Sequence, residues 1–207
     1  MIKEFIAGGG IMWFLLICAV LGLALLIERI ITLFFKLRLN TKTFLATLIE
    51  TINKNGINAG IKLCDETPSP VARILKAASE KATGGRAMME DAVIRTATTE
   101  LVFLDRGMGL LGGVITVAPF FGFLGTVTGM IRAFAAVAAV GEVEPTIVAS
   151  GIAEALITTK WGLIIAAPLS IFFILIQGRV SSYTRDMETS AATLIDYLAE
   201  KFVCAPK

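Results

Sequence analysis

Apolar residues fall into three long runs, divided by one polar stretch and one very short link, and the lengths of those runs decide the architecture. Over residues 11–27 the sequence IMWFLLICAVLGLALLI is uncharged; Glu28 and Arg29 interrupt it, and IITLFF carries the apolar character on to Phe35. About 20 apolar residues at a rise of ~1.5 Å each cross a hydrocarbon core, so this run predicts a transmembrane helix. A cleaved signal peptide is the competing reading. Lys3 alone makes a thin basic region, the run is long, and no A-x-A site follows, so retention is favoured. The second and third runs lie within 107–140 and 146–177 with only GEVEP between them. A link that short makes the two helices antiparallel neighbours.

Residues 36–106 change character. Amphipathic periodicity predicts a helix over 41–54, with Phe44, Leu45, Leu48, Ile49 and Ile52 on one face and Asn55-Gly56 as its stop. A short helix over about 57–64 follows, then the turn Thr67-Pro68-Ser69-Pro70, then a helix over 71–82 closed by Gly84-Gly85. Beyond Arg86 no proline or turn cluster intervenes before Pro119, which predicts one charged helix running directly into the second span. After Arg179 the tail SSYTRDMETSAATLIDYLAEKF keeps helical spacing and prolongs the third helix.

The 36–106 stretch holds eleven of the nineteen Lys and Arg residues, which assigns it to the cytoplasm, whereas the 141–145 link carries Glu142 and Glu144 and no basic residue. The N-terminus is then outside and the C-terminus inside. The expected division is a short outer segment (1–10), a first span (11–35), a helical cytoplasmic domain (36–106), a second span (107–140), an outer loop (141–145), a third span (146–178) and a cytoplasmic helix (179–207). The fold class is all-α and multipass, with the second and third transmembrane helices extended into the cytoplasm.

Composition narrows the chemistry. The chain is 56% hydrophobic, against roughly 45–50% for soluble domains, and its mean hydropathy is +0.79. A net charge of +2 with 17% charged residues offers no basic excess for nucleic acid. The absence of histidine removes His-based metal sites and triads, so neither cofactor nor metal is expected, and no enzymatic activity. Cys18, Cys64 and Cys204 are far apart and form no CxxC pair, and read as reduced, non-ligating thiols.

The candidate chemistry sits in the second and third runs. Gly122, Gly125 and Gly129, with Ala133 and Ala136, repeat at three-or-four spacing, as do Gly151, Ala155, Thr158, Gly162 and Ala166. Small faces let membrane helices approach closely, and helix contact is the favoured reading of these glycines. With the hairpin centred near residue 143, Arg132 falls level with Glu154, and Thr126 with Lys160, Thr159 being one step away. The two polar layers are then about 9 Å apart at 1.5 Å per residue. An intramembrane charge costs roughly 2.5–3.5 kcal/mol even on lenient insertion scales. Arg132 with Glu154 is either a neutralising structural pair near the outer interface or part of an ion path, and the residues alone do not choose. Thr126, Thr158 and Thr159 have the ordinary alternative of bonding a carbonyl in their own helix. Lys160 lies about 180° from the small-residue stripe; a salt bridge to Glu28 on the first helix is favoured over an acidic residue of a partner helix.

The segments PFFGFLGTVTGMIRAF (119–134) and SGIAEALITTKWGLIIAAP (150–168) resemble the two signature segments of the ExbB/TolQ/MotA proton-channel family, and more closely its ExbB/TolQ branch. The three-span topology, the large cytoplasmic stretch after the first helix and the short outer loop match as well. The resemblance implies a bacterial inner-membrane homopentamer. Its second and third helices line a pore occupied by single-span ExbD- or TolR-like partners, and proton flow drives movement transmitted to the outer membrane through TonB or TolA. It also implies pore-lining roles for Thr126 in LGTV and Thr159 in ALITT, and matches Glu154 in GIAEAL to the family's intramembrane glutamate. Arg132 and Lys160 depart from the pattern, and a fixed cation beside a cation path raises its barrier unless a carboxylate neutralises it.

The expected function is therefore the pore-forming subunit of a proton-driven motor that energises outer-membrane processes of TonB or Tol type. Its candidate ion-pathway residues are Thr126, Thr158, Thr159 and Glu154, and its partners are lipid, copies of itself and those two kinds of protein. A non-conducting oligomeric scaffold is the alternative. A secondary transporter is disfavoured by the lack of an inverted repeat.

Overall fold

The computed structural model describes residues 2–36, 39–140 and 145–202, and every regular element among them is helical. In chain order these are α1 (Ile2–Ala7), α2 (Ile11–Ile30, followed by a π-helical turn Ile31–Lys36), α3 (Thr41–Asn55), α4 (Ile57–Glu66), α5 (Pro70–Glu80), α6 (Arg86–Asp105), α7 (Met108–Val140) and α8 (Pro145–Phe202). Glu142, Glu144 and most of the expected outer loop fall outside the described residues, as does Cys204. Three segments are long and apolar enough to cross a membrane: Ile11–Leu33, the apolar part of Arg86–Ala139, and that of Val148–Phe202.

The chain forms two compact units. The first comprises Met1–Ile30 and Gly107–Ile176. In it α2 packs on α7, and Gly22 of α2 leaves room for side chains of α7 and α8: a Cβ there would lie 2.5 Å from Leu169 Cδ1 and 3.3 Å from Val114 Cγ1. Leu15, Leu111 and Ala118 are buried, whereas Trp13, Phe120, Phe123, Leu156 and Ile164 stay exposed. Apolar side chains turned outward suit a unit whose solvent is lipid. Pro119 and Pro168 lie inside α7 and α8 without ending them, as membrane helices tolerate.

The second unit comprises Ile31–Arg106 and Gln177–Lys207. Its helices carry ordinary stop and start signals. The Asn40 side chain accepts from the Thr43 backbone N–H at 3.4 Å to cap α3, and Gly56 at φ 83 ends it. Pro70 opens α5 at its first position. Leu48, Ile52, Val71, Leu75, Met89, Leu194 and Leu198 fill the core at 1% exposure or less. Glu100 accepts from Arg73 Nε and Nη2, both at 2.6 Å, and the Ser69 and Tyr183 hydroxyls bond at 2.9 Å.

One sequence expectation needs correction. The charged helix after Arg86 does not run on into the span: α6 ends at Asp105, and Gly107, at φ 79, breaks the chain before α7. A single glycine without a neighbouring proline is a weak stop signal, and its left-handed backbone is what gives it force. Residues 2–7, within the segment expected to lie outside, form the helix α1, a local structure the sequence reading did not assign. The third helix does continue unbroken to Phe202.

Candidate functional site

The sequence brings α7 and α8 together because neither presents a large side chain along their line of contact. A Cβ on Gly122 would lie 3.1 Å from the Thr158 carbonyl oxygen and the Thr159 Cα, one on Gly129 would lie 3.1 Å from the Gly151 carbonyl, and one on Gly162 would lie 2.9 Å from the Ala118 carbonyl. On Gly125 a Cβ would collide with the Thr158 side chain, and on Gly151 it would lie 2.5 Å from Ala133 Cβ. All five glycines singled out from the sequence thus lie on this one seam, which pairs Gly125 with Thr158 and Gly129 with Ala155. The register is within one helical turn of that expected from the hairpin centre.

The threonines divide. Thr158 is 1% exposed and donates to the Ala155 carbonyl at 2.8 Å, with the Gly122 carbonyl 3.3 Å away. It is sealed in the seam, which corrects its place among residues expected to face a path. Thr159, half-buried, donates to the Gly122 carbonyl at 3.1 Å, and Thr126, also half-buried, to Phe123 in its own helix at 2.6 Å. A hydroxyl that donates once keeps two lone pairs, so Thr126 and Thr159 retain acceptor capacity.

Arg132 Nη1 meets Glu154 Oε1 at 2.8 Å, joining α7 to α8; the two side chains are 63% and 24% exposed. The pair lines a hollow of about 430 Å³ with Ala7, Ala136, Ser150 and Gly151 among its other walls. Gly9, at φ 67, lies against the carboxylate: a Cβ there would be 2.5 Å from Oε1. The pair is therefore level with the turn that precedes α2, at the end of the first apolar span and not at its middle.

Lys160 corrects another expectation. Its ammonium donates to Glu4 Oε1 at 2.7 Å, while Glu28 pairs with its neighbour Arg29, at 2.7 and 3.2 Å. The geometric reason is register. Gly8, in the turn before α2, packs beside Ile157, and Gly22 of α2, fourteen residues on, beside Leu169. Lys160 is thus level with the start of α2, while Glu28 is near its far end. The Lys160 ammonium, with the nearby indole N–H of Trp161 assisting, holds the Glu4 carboxyl below the usual carboxylate range. Sequence reasoning passed over Glu4 and Gly9, although Ile2, Phe5 and Ile6 set beside Lys3 and Glu4 give α1 a short amphipathic signature. Among the described residues no cluster of three or more metal-binding side chains occurs. Cys64 is buried, and burial pushes its thiol up to about 12, so it is an inert core residue.

Residues 66–189, more than half of the chain, match the family model described as the MotA/TolQ/ExbB proton channel family. The chain belongs to this family. Its matched stretch includes both signature segments of the α7–α8 hairpin. Family relatives include the biopolymer transport protein ExbB homolog of Methanothermobacter thermautotrophicus, 30% identical over 86% of this chain and 63% of that one. Another is the biopolymer transport protein ExbB-like 1 of Synechocystis sp., 31% identical over 93% of this chain and 75% of that one. The chain thus spans less than two thirds of the length of the Methanothermobacter relative. A chain in the structure of C. jejuni MotAB shares the fold with a TM-score of 0.57, at 18% identity over 84% of this chain and 68% of that one.

Proposed function

We propose that this chain is the channel-forming subunit of a stator-like motor driven by the proton-motive force. It assembles as a homopentamer in a bacterial inner membrane with its N-terminus outside, and residues 36–106 and 179–207 lie in the cytoplasm. A single-span partner of ExbD or TolR type occupies the pore and carries the titrating carboxylate, and a TonB- or TolA-like protein receives the movement. The family membership of the α7–α8 hairpin carries this reading. Thr126 and Thr159 offer lone pairs to the path, and Glu154 sets its potential. The Arg132–Glu154 contact of 2.8 Å supports it, because a cation neutralised by a carboxylate does not repel protons as a lone one would. A proton crossing the membrane yields about 2.3 kcal/mol per 100 mV, which becomes mechanical when passage obliges a helix to shift between sites.

The test is proton flux in vesicles that contain this chain and its partner. Thr159→Val and Glu154→Ala are expected to lower flux about tenfold, a barrier rise of ~1.4 kcal/mol, without dispersing the oligomer. Unchanged flux favours the second reading, a non-conducting scaffold. One observation speaks for that reading: the hydroxyls of Thr126, Thr158 and Thr159 all donate to backbone carbonyls, as purely structural threonines would.

A further inference from the structure

An apolar groove of about 380 Å³ runs between α1, α2 and α8, walled by Phe5, Met12, Trp13, Ala19, Trp161 and Ile165. Met12 to Ala19 is two helical turns, so the groove is about 10 Å long at 1.5 Å per residue. The Phe5 and Trp13 rings meet edge to face at 5.2 Å on its wall. Trp13 stands at the start of the first apolar span, where indoles collect at the level of lipid headgroups, and Trp161 of α8 lines the same groove. An apolar hollow of this size in a membrane-facing unit fills with hydrocarbon; its rim decides whether the occupant is specific.

Next to the wall residues Phe5 and Trp161 stand two opposite charges, with the Lys160 ammonium 5.7 Å from the Trp161 ring centre. Glu4 and Lys160 bond to each other, yet their side chains remain 39% and 46% exposed. The ammonium has donors beyond the one it gives to Glu4, and the carboxylate has further lone pairs. The buried Trp161 indole N–H is turned toward the Glu4 carboxylate and supports its charge. Spare ammonium donors next to an exposed carboxylate suit a ligand that brings both an anionic acceptor and a cationic donor.

The geometry points to a phospholipid site in which one acyl chain fills this groove while an aminoethyl phosphate headgroup spans the Glu4–Lys160 pair. The phosphate oxygens take N–H bonds from the Lys160 ammonium, and the headgroup ammonium gives its N–H bonds to Glu4. A phosphatidylglycerol satisfies Lys160 but sets its charge against Glu4, and a choline headgroup has no N–H to donate. The groove lies apart from Thr126, Thr159 and Glu154, so the inference does not depend on the ion path.

The experiment uses the full chain, purified as its oligomer in detergent and stripped of lipid. Thermal midpoint is followed as palmitoyl-oleoyl phosphatidylethanolamine, phosphatidylglycerol or phosphatidylcholine is added. The ethanolamine lipid is expected to raise the midpoint at about tenfold lower concentration than the other two, one charge-assisted contact's worth of preference. Ala19→Trp, which fills the groove, should abolish the increment without lowering the lipid-free midpoint. Glu4→Gln leaves the groove open and should move the preference to phosphatidylglycerol, so the inference remains testable if Ala19→Trp does not fold. An equal response to all three lipids overturns the site, as does an Ala19→Trp protein that responds like wild type. Loss of the oligomer in Ala19→Trp with no change in lipid response also overturns it, and would place a second copy of the chain in the groove.

Discussion

The two units of this chain are held together by opposite kinds of packing. In the unit of Ile31–Arg106 and Gln177–Lys207, large side chains such as Leu48, Ile74, Leu75 and Leu194 fill a core, and the helices start and stop at recognisable caps. In the unit of Met1–Ile30 and Gly107–Ile176, the closest approach is made by residues with almost no side chain, and many of the large ones face outward. Water drives apolar groups together in the first case. In lipid that force is absent, so backbones must come near enough for dispersion and for Thr158 and Thr159 to reach a carbonyl of the facing helix. Where the large residues point therefore reports the solvent of each unit.

That contrast makes graded predictions. Leu75→Ala removes a side chain with no exposed surface and should cost about 2–5 kcal/mol in denaturant unfolding, whereas Leu163→Ala, 54% exposed on α8, should cost little. Gly162→Val drives a side chain into the Ala118 carbonyl and the Gly122 backbone, and should cost about 1–3 kcal/mol, read as loss of thermal stability in detergent. Gly113→Val is its control, because nothing lies within 4 Å of a Cβ there. If the two valines behave alike, the seam is not what holds the hairpin. The smallest effect is pH dependence at α1. The Glu4 carboxyl titrates below its ordinary range, so the unfolded chain binds that proton more readily than the folded one. The tie to Lys160 is then complete above the ordinary glutamate range and is lost as pH falls through the lowered value. Protection of the amides of residues 2–8, as the ratio of intrinsic to observed hydrogen-exchange rate, should be flat from pH 8 to about 5 and fall only in stronger acid; a fall near neutrality would mean that the Lys160 contact does not hold α1.

The hairpin was legible because its signals are positional. Small residues at three-or-four spacing mark the contacting faces, and an arginine and a glutamate at matching distances from a short link set Arg132 level with Glu154, with only rigid helices and a tight turn assumed. The continuation of α8 to Phe202 was equally plain from helical spacing. What escaped depended on single backbone angles or on chain reversal. Gly107 breaks the helix before α7 through a positive φ that no neighbour announces. The Gly8-Gly9-Gly10 turn folds α1 back so that Glu4, and not Glu28, reaches Lys160. Thr158 and Thr159 are adjacent and chemically identical, and only the rotation of α8 against α7 seals the first and leaves the second half-buried.

That rotation is also where the proposed function is most exposed to test. Proton flux per assembled oligomer, measured in vesicles with the partner present, should fall in Thr159→Val and in Glu154→Ala but persist in Thr158→Val, whose cost should appear as lowered stability. Flux that survives both of the first two substitutions in an intact oligomer, or that is lost in Thr158→Val alone, would contradict a path along the half-buried threonine and the carboxylate.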